Sequence, residues 1–349
     1  ANTVSLTTGT QKNQTYVSVG AVNARGIIQN NDLDRYNFSV RNTTSMLNDK
    51  LTMDLSFMYS NVKEQNMLSQ GEYANPLVPV YLFPRGDDFS KYQYYERYDV
   101  DRNIKTQFWP LKENGLSMQN PYWITNRNMY TNKKDRFLAS GSLKYTITDW
   151  LNVSGRVKLD KETINSEKKM YASTLNVIAE NSDKGAYVQS NKNTSQIYAD
   201  AMLNINKYFY HDTWNLTASL GASLLDLDYK ELNFGGGLLT IPNLFTSNNA
   251  NVSGKLTYKN TNYHDRTNSL FGTFSLGYKG MVYVDGSLRN DWISALAGTN
   301  HSSILYPSIG ASAILTNMFT MKSNILSYAK VRLSYSEVGN APERFRAIT

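Results

Sequence analysis

The chain has 349 residues, with 36 Lys and Arg against 29 Asp and Glu and no cysteine; this excludes a disulfide framework and a thiol nucleophile, and the dispersed basic residues argue against nucleic-acid binding. Mean hydropathy is −0.47, and no run approaches the roughly 18 to 20 apolar residues that a spanning helix needs, which excludes a helical membrane protein. A β-barrel stays open, because only alternate residues of its strands meet lipid while the rest face a wet lumen.

Two-residue alternation predicts about twelve strands, at 4–7, 16–22, 36–44, 51–60, 137–147, 151–160, 197–205, 214–224, 270–278, 282–289, 305–314 and 328–336. In the fourth, Leu51, Met53, Leu55, Phe57 and Tyr59 share one face, a run about as long as a tilted strand needs to cross a bilayer. In the sixth, Leu151, Val153, Val157 and Leu159 oppose Asn152, Ser154, Arg156, Lys158 and Asp160. The joins alternate in length. Short ones are expected at 9–14, 45–50, 148–149, 206–212, 279–280 and 316–323, and long ones at 23–35, 61–135, 161–195, 226–267 and 290–303. In an up-and-down antiparallel sheet every second join lies on the same edge, so all the long loops share one rim, as in outer-membrane barrels. Tyr145, Trp150, Tyr208, Phe209, Tyr210, Trp214, Tyr278, Phe319 and Tyr328 gather at the short-turn rim, where an interfacial aromatic belt would lie. No Pro/Gly/Ser-rich linker divides the chain, so the fold expected over 1–349 is all-β, a single partial transmembrane barrel.

Signals for chemistry are sparse. His211, His264 and His301 have no second ligand at helical or hairpin spacing, so no metal site is expected. Neither a nucleophile elbow, a phosphate loop nor HExxH occurs, and no cofactor is expected. Gly235-Gly236-Gly237 reads as a flexible stretch of a long loop, and Asp87-Asp88 as exposed loop charge. The N-x-S/T triplets at Asn42 and Asn215 fall within strands, which argues against glycosylation. The 61–135 loop is too aromatic for disorder and should fold on itself or on a partner. Tyr92, Tyr94, Tyr95, Trp109 and Trp123 are its candidates for ligand or partner contact, because planar rings stack on sugars or peptides at small entropic cost. Packing the loop down is the competing use of the same rings.

Several stretches carry a family resemblance. They are Asn30-Asn31-Asp32-Leu33-Asp34-Arg35-Tyr36 with Arg41-Asn42-Thr43, Asn75-Pro76-Leu77 with Tyr81-Leu82-Phe83-Pro84-Arg85-Gly86, and Asn120-Pro121-Tyr122-Trp123-Ile124. Leu288-Arg289-Asn290-Asp291-Trp292, Tyr306-Pro307-Ser308-Ile309-Gly310 and Ser334-Tyr335-Ser336-Glu337-Val338-Gly339-Asn340-Ala341-Pro342 continue the series. Together they resemble the SusC/RagA family of TonB-linked outer-membrane transporters. The resemblance implies a barrel of about 22 strands with a plug inside it, residence in the outer membrane of Bacteroidetes-type bacteria, and active import of oligosaccharides or oligopeptides. It also implies a SusD-like surface lipoprotein over the mouth and energy from the TonB complex, with no catalytic role. The sequence shows no plug, no TonB-contacting segment and no terminal strand ending in an aromatic residue, so it is expected to be only a middle portion of the larger protein, roughly the first half of its barrel. A passive porin-like channel and a soluble adhesin or binding module are the competing classes.

Overall fold

The computed structural model describes residues 1–67, 71–110, 118–251, 258–300, 302–319, 326–341 and 344. His301, the 320–323 part of the expected 316–323 join, and Pro342 lie outside the described residues.

In chain order the strands are β1 (Asn2–Gly9), β2 (Asn13–Arg25), β3 (Asp32–Met46) and β4 (Leu51–Gln65). Next come helix α1 (Leu77–Tyr81), the short strands β5 (Glu96–Asp99) and β6 (Ile104–Gln107), and helix α2 (Pro121–Arg127). The long strands follow: β7 (Asn128–Thr148), β8 (Leu151–Tyr171), β9 (Gly185–Phe209), β10 (Trp214–Gly237) and β11 (Lys259–Tyr278). The series closes with β12 (Val282–Ile293), β13 (Ser303–Ile314) and β14 (Lys330–Ser336). Apart from the separate β5–β6 hairpin, the strands form one 12-stranded antiparallel sheet in which each pairs with its neighbours in the chain. Among the described residues β1 pairs only with β2 and β14 only with β13, so both edges are open.

Register explains the faces, since directly paired residues of antiparallel strands point the same way. One row of partners runs Leu6, Val17, Val40, Phe57, Ala139, Leu159, Ile197. A second runs Leu51, Tyr145, Val153, Leu203, Leu220, Gly272, Leu288, Pro307. These rows are the lipid face, an apolar belt of the kind that crosses a bilayer. Large residues stay open on it, Leu220 at 58% and Ile309 at 58%. The opposite face is polar and self-paired across strands. Arg41 meets Asp54 at 2.7 Å, Arg156 meets Asp200 at 2.7 Å and Arg289 donates to Ser269 Oγ at 2.8 Å. Ser56 and Ser140 share a hydrogen bond of 2.8 Å. This is a lumen wall.

Three of the short joins are tight turns with two central left-handed residues, Asn48-Asp49, His211-Asp212 and Lys279-Gly280, each closed by a backbone hydrogen bond such as Met281 N to Tyr278 O, 2.8 Å. That mirror-type turn matches the right-handed twist of paired strands. The aromatic rim forms beside them. Trp214 packs on Tyr278 with centroids 4.7 Å apart, and the Lys207 ammonium lies 4.5 Å from the Trp150 ring. The last short join is corrected: β13 runs into a helical turn at Leu315–Met318, and β14 begins only at Lys330.

The long joins are corrected in the other direction. β9 spans 25 residues, or about 80 Å at roughly 3.3 Å per residue, against an apolar band about 25 Å tall. Residues 189–196, all polar, pair on one side with β8 and on the other with β10. Above the lipid both faces meet water, so alternation ends while the hydrogen-bond ladder continues. The 61–135 loop therefore shrinks to 66–127, the 161–195 loop to 172–184 and the 23–35 loop to 26–31.

Candidate functional site: the cap at the barrel mouth

The buried core of this protein is not in the membrane. It lies where the 66–127 and 172–184 loops pack against the upper ends of β7, β8 and β9, and it includes Trp123, Leu175, Ala179, Met170 and Ala186. Helix α2 begins on Asn120, whose Oδ1 accepts from Tyr122 N at 2.8 Å, with Pro121 at the first helical position. The same Asn120 amide donates to Tyr92 O at 2.8 Å and Phe108 O at 2.9 Å. One buried side chain thus ties the helix start to two other segments.

Polar groups are buried here, and burial is tolerable only with partners. The Gln107 backbone N donates to Ser173 Oγ at 2.8 Å and its Nε2 to Ser173 O at 2.6 Å. Gln119 Nε2 donates to Tyr73 O at 2.9 Å, while its Oε1 accepts from Leu175 N at 3.2 Å. Trp123 Nε1 donates to Thr174 Oγ1 at 3.0 Å. Other loops join the assembly through Asn30 Nδ2 to Thr125 O, 3.0 Å, and Asn243 Oδ1 from Ala172 N, 2.7 Å. Glu96 bridges Arg127 at 2.6 Å and Lys105 at 2.7 Å. Burial pushes the Glu96 carboxyl pKa up, but the two cations outweigh it and hold it below the usual range.

An aromatic cluster fills the cap. Phe83 meets Phe89 at 5.0 Å and Tyr92 at 5.5 Å, Tyr92 meets Trp109 at 5.2 Å, and the Arg97 guanidinium covers Phe108 at 3.2 Å. The Tyr92 hydroxyl donates to Asp87 at 3.1 Å, and burial together with that carboxylate raises its pKa. Asp88 Oδ1 accepts from Ser90 N at 3.0 Å, so this acidic pair shapes the turn at Phe89–Gln93.

Of the five aromatic candidates, the structure buries Trp123 at 0% exposure, Trp109 at 6% and Tyr92 at 9%. Tyr95 is half-buried and Tyr94 stands in solvent. Sequence reasoning missed Gln107, Gln119, Asn120, Ser173 and Thr174, for which the one available signal was the helix start at Asn120-Pro121. Gly235-Gly236-Gly237 is a correction: it ends β10, paired with Ala186 to Val188. A Cβ on Gly235 would stand 2.0 Å from Tyr187 O, so glycine is required by close approach rather than for flexibility. The two described histidines lie apart, His211 in the β9–β10 turn and His264 on β11, where its Nε2 meets Asp226 Oδ1 at 2.8 Å.

An open meander with a lipid-facing belt, a polar lumen wall and a folded cap on one rim is the fold of part of a transmembrane β-barrel. The solved structures agree. The RagAB peptide transporter matches over 97% of this chain and 36% of that chain, with TM-score 0.70 and 17% identity. The ferric-catecholate import receptor Fiu of E. coli K12, open form, matches over 96% of this chain and 51% of its own, with TM-score 0.54 and 10% identity. The ferripyoverdine receptor of the outer membrane of Pseudomonas aeruginosa matches over 89% and 38%, with TM-score 0.54 and 10% identity. This chain therefore spans about a third to a half of the length of these structures. No protein-family model and no curated protein sequence matches it.

Proposed function

We propose that this chain is a wall of an active importer that carries oligopeptides or oligosaccharides across the outer membrane, with a TonB-type complex supplying energy. One observation carries the reading: nearly the whole chain superposes on part of the RagAB peptide transporter, whose other structures include open and closed states of a peptide importer. The ferric-catecholate import receptor and the ferripyoverdine receptor share the sheet at lower identity. In this reading the chain performs no catalysis. The polar lumen wall gives transported molecules hydrogen-bonding groups, and the cap borders the extracellular mouth.

A SusD-like lipoprotein closing over that mouth is the partner we assign. The cap offers it an exposed surface at Tyr81, Leu82, Tyr94 and Tyr98, each more than half exposed, which suits a docking patch rich in aromatic side chains. Tyr94 and Tyr95 are the aromatic candidates we place in contact with partner or ligand. Tyr92, Trp109 and Trp123 support them from within. The test is uptake: a deletion strain is grown on a panel of peptides and glycans as sole nutrient. Loss of growth on one class supports import and names the class. Unchanged growth and unchanged uptake of every class would sink the reading.

A further inference from the structure

We propose that a small pocket beneath α2, on the inner wall of the mouth, is a subsite for a carboxylate carried next to an apolar group, as at the C-terminus of a transported peptide. The inference rests on the import reading above and names what the mouth recognises.

The pocket measures about 210 Å³ and lies among the β2–β3 turn, α2, β7 and β8. Pockets for whole drug-sized ligands run roughly 300–1,000 Å³, so this one fits a single residue-sized end group. Ile28, Met67, Pro76, Ile124 and Met170 give it apolar walls, Gln29, Asn66, Thr125, Asn128 and Tyr130 add neutral polar groups, and among the described residues no acidic side chain lines it. Among the described residues the one charge in the wall is Lys168. Register places Lys168 on the inner face of β8, opposite Tyr130 of β7 and Val188 of β9.

Among the described residues the Lys168 ammonium makes no hydrogen bond and no ion pair. It stays accessible from the concave mouth, yet protein crowds around it and lowers its pKa, against a smaller opposing effect of Glu180. A partly desolvated cation without a partner gains from an incoming anion.

A second, unpartnered donor lies buried behind the same wall. Trp123 Nε1 can only donate, and it donates to Thr174 Oγ1 at 3.0 Å. The Thr174 hydroxyl proton is then directed to Asn128 Oδ1, 2.7 Å away. That chain fixes the Asn128 amide with its oxygen used, and leaves its Nδ2 buried without a partner in the residue that lines the pocket. The Lys168 ammonium beside these apolar side chains favours an incoming anion, so the pocket disfavours cations.

The test uses the full-length protein purified in detergent and measures binding by calorimetry. The probes are the tetrapeptide trialanyl-leucine as free acid, the same peptide as its C-terminal amide, and tetragalacturonate. The free acid should bind at least tenfold more tightly than the amide. Lys168→Gln should abolish that ratio by weakening the acid alone, and Lys168→Arg should keep it. Equal binding of acid and amide to the unaltered protein, which needs no variant to fold, overturns the proposal, as does an unchanged ratio in Lys168→Gln. If tetragalacturonate alone shows the dependence on Lys168, the apolar half of the subsite is wrong. A strain that imports peptides normally with Lys168→Gln, and whose protein shows no acid preference, refutes the subsite and leaves the import reading intact.

Discussion

The lower and upper parts of this sheet are held together differently, although the same strands run through both. In the belt, Leu203, Leu220 and Leu288 project into lipid, so their side chains add little cohesion within the protein, and the ladders and the lumen-facing pairs bind strand to strand. Above it, ladders of polar residues such as 189–196 continue with water on both faces, and cohesion is added by a small packed core that the loops supply. A membrane strand needs alternation because its two solvents differ. A strand standing in water needs only partners, and a loop over a mouth needs a core of its own.

Removing the keystone of that core gives the largest expected effect. Trp123→Ala empties a fully buried site and removes the donor that Thr174 Oγ1 accepts from, a loss of about 3–5 kcal/mol. Hydrogen exchange across 71–110 and 118–127 in the detergent-solubilised parent should show those segments opening while the belt ladders stay protected. Protection unchanged in the cap would mean that the wall, not Trp123, holds it.

The two regions also part company over a charge on the outward face. Leu220→Arg places a guanidinium in the apolar row and should cost about 2–4 kcal/mol near the bilayer midplane. Leu232 shares the outward face of β10, twelve residues further up and 46% exposed, where the same change should cost about 0–1 kcal/mol. Unfolding titrations in liposomes measure both, and equal costs would break the division between lipid-facing and water-facing wall.

How much of this was legible follows the same division. All twelve strands of the sheet were marked by alternation within the belt, because there the solvent on each face writes itself into the residue choice, as at Leu51 to Tyr59. The upper reaches were not. Residues 189–196 look like a loop, since a backbone ladder imposes no side-chain pattern when both faces are wet. The cap was half legible. Aromatic density announced that 66–127 folds, but which rings turn inward depends on Ser173, Thr174 and Leu175, some fifty residues further along the chain. Gln107 and Gln119 gave no warning at all, for a buried amide is marked only by the partners that satisfy it.

A smaller change probes the cap's polar frame. Asn120→Ala removes the cap of α2 and leaves Tyr92 O and Phe108 O without their donor, for a loss of about 1–3 kcal/mol. Asn120→Asp keeps the cap acceptor but cannot donate to those carbonyls, so it should recover only part of the loss. Full recovery would show that capping alone matters, and the cross-segment bonds would then be incidental.

The smallest effect expected is a pH dependence confined to the cap. Glu96 is held ionised by Lys105 and Arg127, and its folded pKa lies below the 4.5 of the free side chain. A depressed carboxylate pKa means that the unfolded segment binds more protons than the folded one in this window. The contribution of Glu96 is therefore present in full above that unfolded value and is lost as pH falls through the lower folded one. Because Lys105 is 62% exposed, the ion pairs contribute about 1 kcal/mol or less. Exchange protection of β5, β6 and α2, corrected for intrinsic rates and compared between neutral and acid pH, should weaken in the native protein. In Glu96→Gln, which cannot ionise, it should start lower and change less. The belt ladders, held by backbone hydrogen bonds that do not titrate, serve as the internal reference; if they lost protection in parallel with the cap, global unfolding rather than Glu96 would be the cause.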